Sequence, residues 1–241
     1  MTAKKHWREG ALLWRLGWAR FKMRWWLVLV IAQLGAALVL VQNGWDDRAL
    51  AAIRQPENQN LNQAAEQLYR WGDWTWSVPL VLLLWGAGTW FNRKRWRRLA
   101  WVCLWSFLVA SVAVNLFRTT LGRPRPRTGI ADGFYGLHIR SNDYHAFPSG
   151  HATGAFATGI SLLAGSPLLS VPCATYAVAV GWSRMQRNDH RPLDVLTGAV
   201  LGTFVGLCFG SALPGGRWRL RRKPRPLADA EELAATSRAD D

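Results

Sequence analysis

Trp25–Trp45 reads WWLVLVIAQLGAALVLVQNGW, a run with no Asp, Glu, Lys or Arg. A hydrocarbon core ~30 Å thick takes about 20 helical residues to cross, so this run has the length of one span. Uncharged runs recur at Trp74–Asn92, Leu99–Phe117 and Val195–Gly216. Ala152–Ser183 is longer, equally uncharged, and divided by Gly165-Ser166-Pro167. That break predicts two short spans joined by a tight turn, not one very long helix. A soluble chain interrupts such runs with a polar helix face. The expected class is therefore an all-α polytopic membrane protein with six transmembrane helices.

The rest of the composition agrees. The chain has 241 residues, half of them hydrophobic, and a formal net charge of +15. A disulfide scaffold is excluded, because Cys103, Cys173 and Cys208 each sit inside an apolar run. The apolar content excludes disorder except at the ends. Basic residues crowd into three places: before the first run (Lys4 to Arg24), at Arg93–Arg98, and from Arg217 to Arg225. Lys and Arg mark the side that is not translocated. With six spans these three segments share one side, so both termini are expected in the cytoplasm. The surplus charge reads as topology, and no recognition motif accompanies it that would point to nucleic acid.

Residues 1–24 read as a cytoplasmic amphipathic basic segment, 25–216 as the membrane domain, and 217–241 as a basic, then disordered, cytoplasmic tail. Trp7, Ala11, Trp14, Trp18 and Phe21 recur at helical spacing, with Arg8, Arg15 and Lys22 on another face. This suits a cationic helix on an anionic leaflet, and no cleavage site of a signal peptide follows it. Most other Trp residues lie near span ends, where indoles anchor among head groups. In the mixed-charge loop 46–73, residues 61–72 predict a short interfacial helix on the outer face.

Three polar clusters remain. Arg118-Thr-Thr-Leu-Gly-Arg-Pro-Arg125-Pro126 follows the third span, Phe147-Pro148-Ser149-Gly150-His151 precedes the fourth, and Ser183-Arg184 with His190 and Asp194 lies between the fifth and sixth. Exits of odd spans and entrances of even spans share one side, so all three are expected to meet there. Arg118, Arg125 and Arg184 offer planar forks of donors suited to phosphate oxygens. Ser149, Gly150 and His151 open a helix, where free backbone N–H groups and the positive dipole end receive an anion. His190 and Asp194 share a face if the sixth helix starts early. Asp194 can then accept from one imidazole nitrogen and leave the other to attack. Asp194, Gly198, Gly202, Gly206 and Gly210 follow at intervals of four, a stripe that allows close helix approach in lipid. His6 and His138 read as surface residues, and His145 as part of a loop.

These clusters resemble the signature of the type 2 phosphatidic acid phosphatase (PAP2) superfamily, in its membrane lipid phosphatase branch. That signature runs from a basic residue, six residues and Arg-Pro, through Pro-Ser-Gly-His, to Ser-Arg, five residues, His, three residues and Asp. The leading basic residue, usually Lys, is Arg118 here. The resemblance implies a phosphohistidine intermediate on His190, with Asp194 orienting it and His151 acting as acid and then base. Arg118, Arg125, Arg184, Ser149 and Gly150 are implied to hold the phosphoryl oxygens. No metal and no other cofactor are expected.

The expected partner is a membrane lipid phosphate within the bilayer: phosphatidate, phosphatidylglycerol phosphate, a polyprenyl diphosphate or a lipid A type headgroup. Short loops and strong charge bias suggest a bacterial inner membrane with the site facing the periplasm. Two other readings use the same pocket: a lipid phosphotransferase with the same first step, and a non-catalytic lipid-phosphate-binding membrane protein.

Overall fold

The computed structural model describes residues 3–21, 23–71, 74–163 and 166–213. Their helices are α1 (Ala3–Arg20), α2 (Met23–Gln42), α3 (Trp45–Ile53), α4 (Gln59–Trp71), α5 (Trp74–Trp90), α6 (Lys94–Leu121), α7 (Gly150–Leu163), α8 (Pro167–Gln186) and α9 (Pro192–Gly210). Among the described residues there is no strand, only an isolated bridge between Arg123 and His145. Trp25–Gln42, Lys94–Leu121 and Pro192–Gly210 are long and apolar enough to cross a membrane, and Ser77–Trp90 is a shorter apolar helix. The long uncharged run divides as expected: α7 stops at Leu163 and α8 begins at Pro167. The tail 217–241 and Gly165 lie outside the described residues.

Helix α7 is central, with α9 against one side and α6 and α8 against others. The small-residue stripe of α9 makes the closest approach. A Cβ on Gly198 would lie 2.6 Å from the Ser149 carbonyl oxygen, one on Gly206 would lie 2.8 Å from that of Ala157, and one on Gly202 would collide with that of Thr153. Backbone thus rests on backbone. Apolar contact between helices gains little where lipid is the solvent, so such packing has to supply the cohesion. Buried hydroxyls add to it, with Ser106 and Ser161 joining α6 to α7 at 2.5 Å and Ser77 and Thr158 joining α5 to α7 at 3.4 Å. The outside of the bundle is apolar instead of polar. Leu27, Val28, Ile31, Leu38 and Val39 of α2 and Val112 and Leu116 of α6 are exposed, as befits an integral membrane protein.

Helix α1 forms where its periodicity places it, but its buried stripe is offset by one residue. Trp7, Ala11 and Trp18 are exposed, whereas His6, Gly10, Leu13 and Gly17 are buried. Gly10 lies against the Trp101 ring and Gly17 against Phe209. The Trp105 indole N–H donates to the Gly10 carbonyl at 2.9 Å, and Glu9 pairs with Arg98 at 2.5 Å. Glycine lets α1 lie close to α6 and α9, and the large indoles flank the contact. His6 is accordingly not a surface residue; it packs edge-on against Trp85. Helix α4 also has a protein partner: it packs on α8, where the Gln186 amide donates to the Asn62 side chain at 2.7 Å and to the Gln55 carbonyl at 2.8 Å.

Candidate active site

Each cluster is delivered by a helix end. Helix α6 stops at Gly122, whose φ of 57° suits glycine and where a Cβ would collide with the Gly136 carbonyl. Arg118 sits in the last turn of α6, its Nε and Nη2 donating to Asn115 Oδ1 at 2.9 and 2.5 Å. The loop returns to α7, and the Ser149 N–H donates to the Asp194 carbonyl at 2.9 Å, tying the start of α7 to the start of α9. A Cβ on Gly150 would lie 2.9 Å from Arg118 Nη1, so a larger residue there would displace the tip of that guanidinium. Arg184 occupies the last turn of α8, and its carbonyl accepts the His190 N–H at 3.2 Å.

The clusters do meet. Arg118, Arg125, Gly150, His151, Arg184 and His190 line one cavity of about 490 Å³. Ser149 lies buried beside them, its hydroxyl without a hydrogen-bond partner among the described residues. Among the described residues no group of His, Cys, Asp and Glu is arranged to hold a metal ion.

His190 departs from the expected pairing. Its Nδ1 lies 2.7 Å from the Ala146 carbonyl but 3.7 Å from Asp194 Oδ2, beyond hydrogen-bond range. A carbonyl can only accept, so Nδ1 carries the hydrogen and Nε2 keeps the lone pair. The reason is that α9 starts at Pro192, leaving His190 in the turn before it. Burial, together with the positive charges of Arg125 and Arg184, pushes the His190 pKa well below the ordinary imidazole value. The ring is thus held neutral.

Asp194 is occupied elsewhere. Its Oδ2 accepts the Arg191 N–H at 2.8 Å, capping α9, and its Oδ1 receives Arg123 Nη1 at 2.5 Å. The fully buried Arg123 guanidinium also holds Asp46 at 2.6 Å and Asp132 at 2.6 and 2.8 Å. Asp46 in turn accepts the Leu193 N–H at 2.8 Å. Burial opposes the charge on Arg123, but Asp194, Asp132 and Asp46 outweigh it and hold its proton more firmly than usual. Burial raises the Asp46 pKa, against the pull of Arg123.

Residues 98–214 match the model of the PAP2 superfamily, a stretch that contains all three clusters. That stretch belongs to the PAP2 superfamily. The chain is 28% identical to an undecaprenyl-diphosphatase of Sulfolobus acidocaldarius over 75% of this chain and 86% of that protein. It is 26% identical to a lipid A 1-phosphatase of Rhizobium etli over 77% of this chain and 83% of that one. Its fold is shared with a PAP2-type phosphatidylglycerolphosphate phosphatase from Bacillus subtilis, with a TM-score of 0.58, 22% identity, and 76% of this chain and 92% of that chain covered.

Several residues around the PAP2 site escaped the sequence reading. Arg123 stood inside the first cluster without a role, and no motif covers Asp46, in the first turn of α3, or Asp132, in the loop after α6. Asp189, next to His190, meets Arg127 at 2.8 Å, Arg184 at 3.0 Å, Arg187 at 3.1 Å and Arg125 at 3.6 Å. Burial acts to raise its pKa, yet Arg184, Arg187 and their neighbours hold it below the usual carboxylate value. One carboxylate therefore spaces guanidinium groups that would otherwise repel each other. Ionisable residues beside a span end are a usable signal, and Asp46 and Asp189 both carried it. Tyr69 of α4, which also lines the cavity, carried none.

Proposed function

We infer that this PAP2-type phosphatase hydrolyses the phosphate monoester or diphosphate headgroup of a membrane lipid through a phosphohistidine on His190. The observation that carries the reading is the convergence of a neutral His190, His151 and the signature arginines on one cavity. His190 Nε2 attacks phosphorus, and the bond from phosphorus to the departing oxygen breaks as His151 gives that oxygen a proton. Arg118, Arg125, Arg184, the Ser149 hydroxyl and the Gly150 N–H hold the phosphoryl oxygens while charge shifts between them. Water then attacks phosphorus, His151 takes its proton, and the P–N bond breaks to give inorganic phosphate and free His190. Ala146 fixes the tautomer that makes this attack possible. Asp194 supplies negative charge nearby, and its contacts with Arg123 and Arg191 lock the start of α9.

Six spans with both termini in the cytoplasm fit the division of basic residues. In that layout residues 25–216 form the membrane domain, with 1–24 and 217–241 on the cytoplasmic side. The site then faces the periplasm from a bacterial inner membrane. The relatives' names include both a diphosphatase and a lipid A phosphatase, so both headgroups belong in the test. Purified protein in mixed micelles, without added metal, is expected to release free phosphate from at least one of phosphatidate, phosphatidylglycerol phosphate, a polyprenyl diphosphate and lipid A. His190→Ala should abolish that release while the protein stays folded. Release that survives His190→Ala would remove the reading; phosphate passed to a second lipid with none set free would make the protein a phosphotransferase.

A further inference from the structure

Helix α4 precedes the stretch matched by the family model, yet it sends an aromatic ring into the cavity. Tyr69 stacks on the His151 imidazole, with ring centroids 5.5 Å apart and planes 27° from parallel. The same ring meets Arg184, whose Cζ is 4.6 Å from its centroid, and Arg187, whose Cζ is 3.9 Å away. Helix α4 is pinned in that position by the Gln186 amide on Asn62 and by the ion pair of Glu66 with Arg187.

Donation of a proton by His151 needs a fixed ring plane and surroundings that accept an imidazolium. Arg118, Arg125, Arg184 and His190 face the ring from α6, the loop after it, α8 and the turn before α9. Each of these is cationic or can become so. An aromatic face has the opposite character, attracting a cation through its negative π density. We propose that Tyr69 is a positioning residue for this reaction: its ring fixes the His151 plane, favours the imidazolium, and holds Arg184 beside it. The proposal rests on the assignment of His151 as the acid.

The test compares kcat/KM for phenyl phosphate and 4-nitrophenyl phosphate in wild type, Tyr69→Ala and Tyr69→Phe. These esters have similar shape, but only the phenyl ester depends strongly on a proton for its departing oxygen. Tyr69→Ala should lose roughly 3- to 30-fold on phenyl phosphate, the range a cation–π contact supports, and much less on the nitrophenyl ester. Tyr69→Phe, which keeps the ring, should recover most of that loss. Equal losses on both esters, or a Phe variant no better than Ala, would overturn the proposal. A second measurement needs no turnover. With only five histidines to label, the His151 ring-proton signal, identified by its absence in His151→Ala, should move downfield in Tyr69→Ala and stay in place in Tyr69→Phe. A signal that does not move overturns the stacking. Absence of any phosphate release in wild type defeats the phosphatase reading and the proposal with it. Turnover that needs His190 but shows an unchanged ester ratio defeats the proposal alone.

Discussion

At the scale of single residues, the decisive atom is the hydrogen on His190 Nδ1. Its acceptor is a main-chain carbonyl, that of Ala146, and a carbonyl does not titrate. The orientation of the nucleophile is thereby independent of pH, and only the protonation of His190 itself switches attack off on the acid side. Burial, Arg125 and Arg184 lower that pKa below 6.5. A lowered value means that the ring stays neutral as pH falls through the ordinary histidine range and gains a proton only at greater acidity. The acid limb of kcat/KM, which reports the free enzyme, is therefore expected below pH 6.5. A pH–rate series of the wild-type protein in detergent measures it, and an acid limb above that value would take the nucleophile's role from His190.

At the scale of elements, the site depends on how closely α7 and α9 approach. The Gly202 Cα faces the Thr153 carbonyl with no room for a Cβ, whereas nothing lies within 4 Å of a Cβ built on Gly35 in α2. Gly202→Val is expected to push α9 off α7, separating His190 from His151, with loss of activity and a lower unfolding temperature in detergent. Gly35→Ala should change neither, since it adds a methyl group to open space on a helix. Equal tolerance of both substitutions would show that the stripe does not set the approach. The period of that stripe was legible in the sequence, because glycines four apart mark one helix face whatever they touch. The aromatic stripe of α1 was legible, but the adjoining Gly10 and Gly17, which let the helix lie against Trp101 and Phe209, were not, because large apolar residues dominate a periodicity. The arginine forks were legible because their chemistry is carried by residue type and spacing. The partners of Arg123 were not, since Asp46, Asp132 and Asp194 come together only through the fold. Removing that guanidinium would leave buried carboxylates without a counter-charge, the costly half of any buried ion pair.

At the scale of the whole molecule, the proposed topology opens the cavity on one side of the bilayer and keeps the basic segments on the other. Helix α6 joins the two: it begins at Lys94, amid the Arg93–Arg98 cluster, and ends beside Arg118 in the cavity wall. Its 28 residues span about 42 Å at 1.5 Å per residue, enough to cross a hydrocarbon core of ~30 Å with a turn to spare at each face. Loop 46–73 and the loop between α6 and α7 contribute Asp46 and Asp132 to one buried network, so they must share a side. Single cysteines at exposed Asn60, Arg95 and Arg140 test this directly. The natural cysteines Cys103 and Cys208 are buried and Cys173 is partly so, which keeps background labelling low. In spheroplasts, Asn60→Cys and Arg140→Cys should react with a membrane-impermeant maleimide. Arg95→Cys should react only after the membrane is opened. Were Arg95→Cys and Arg140→Cys to label together in sealed cells, α6 would not cross the bilayer, and a lipid headgroup in the outer leaflet could not reach the cavity by this architecture.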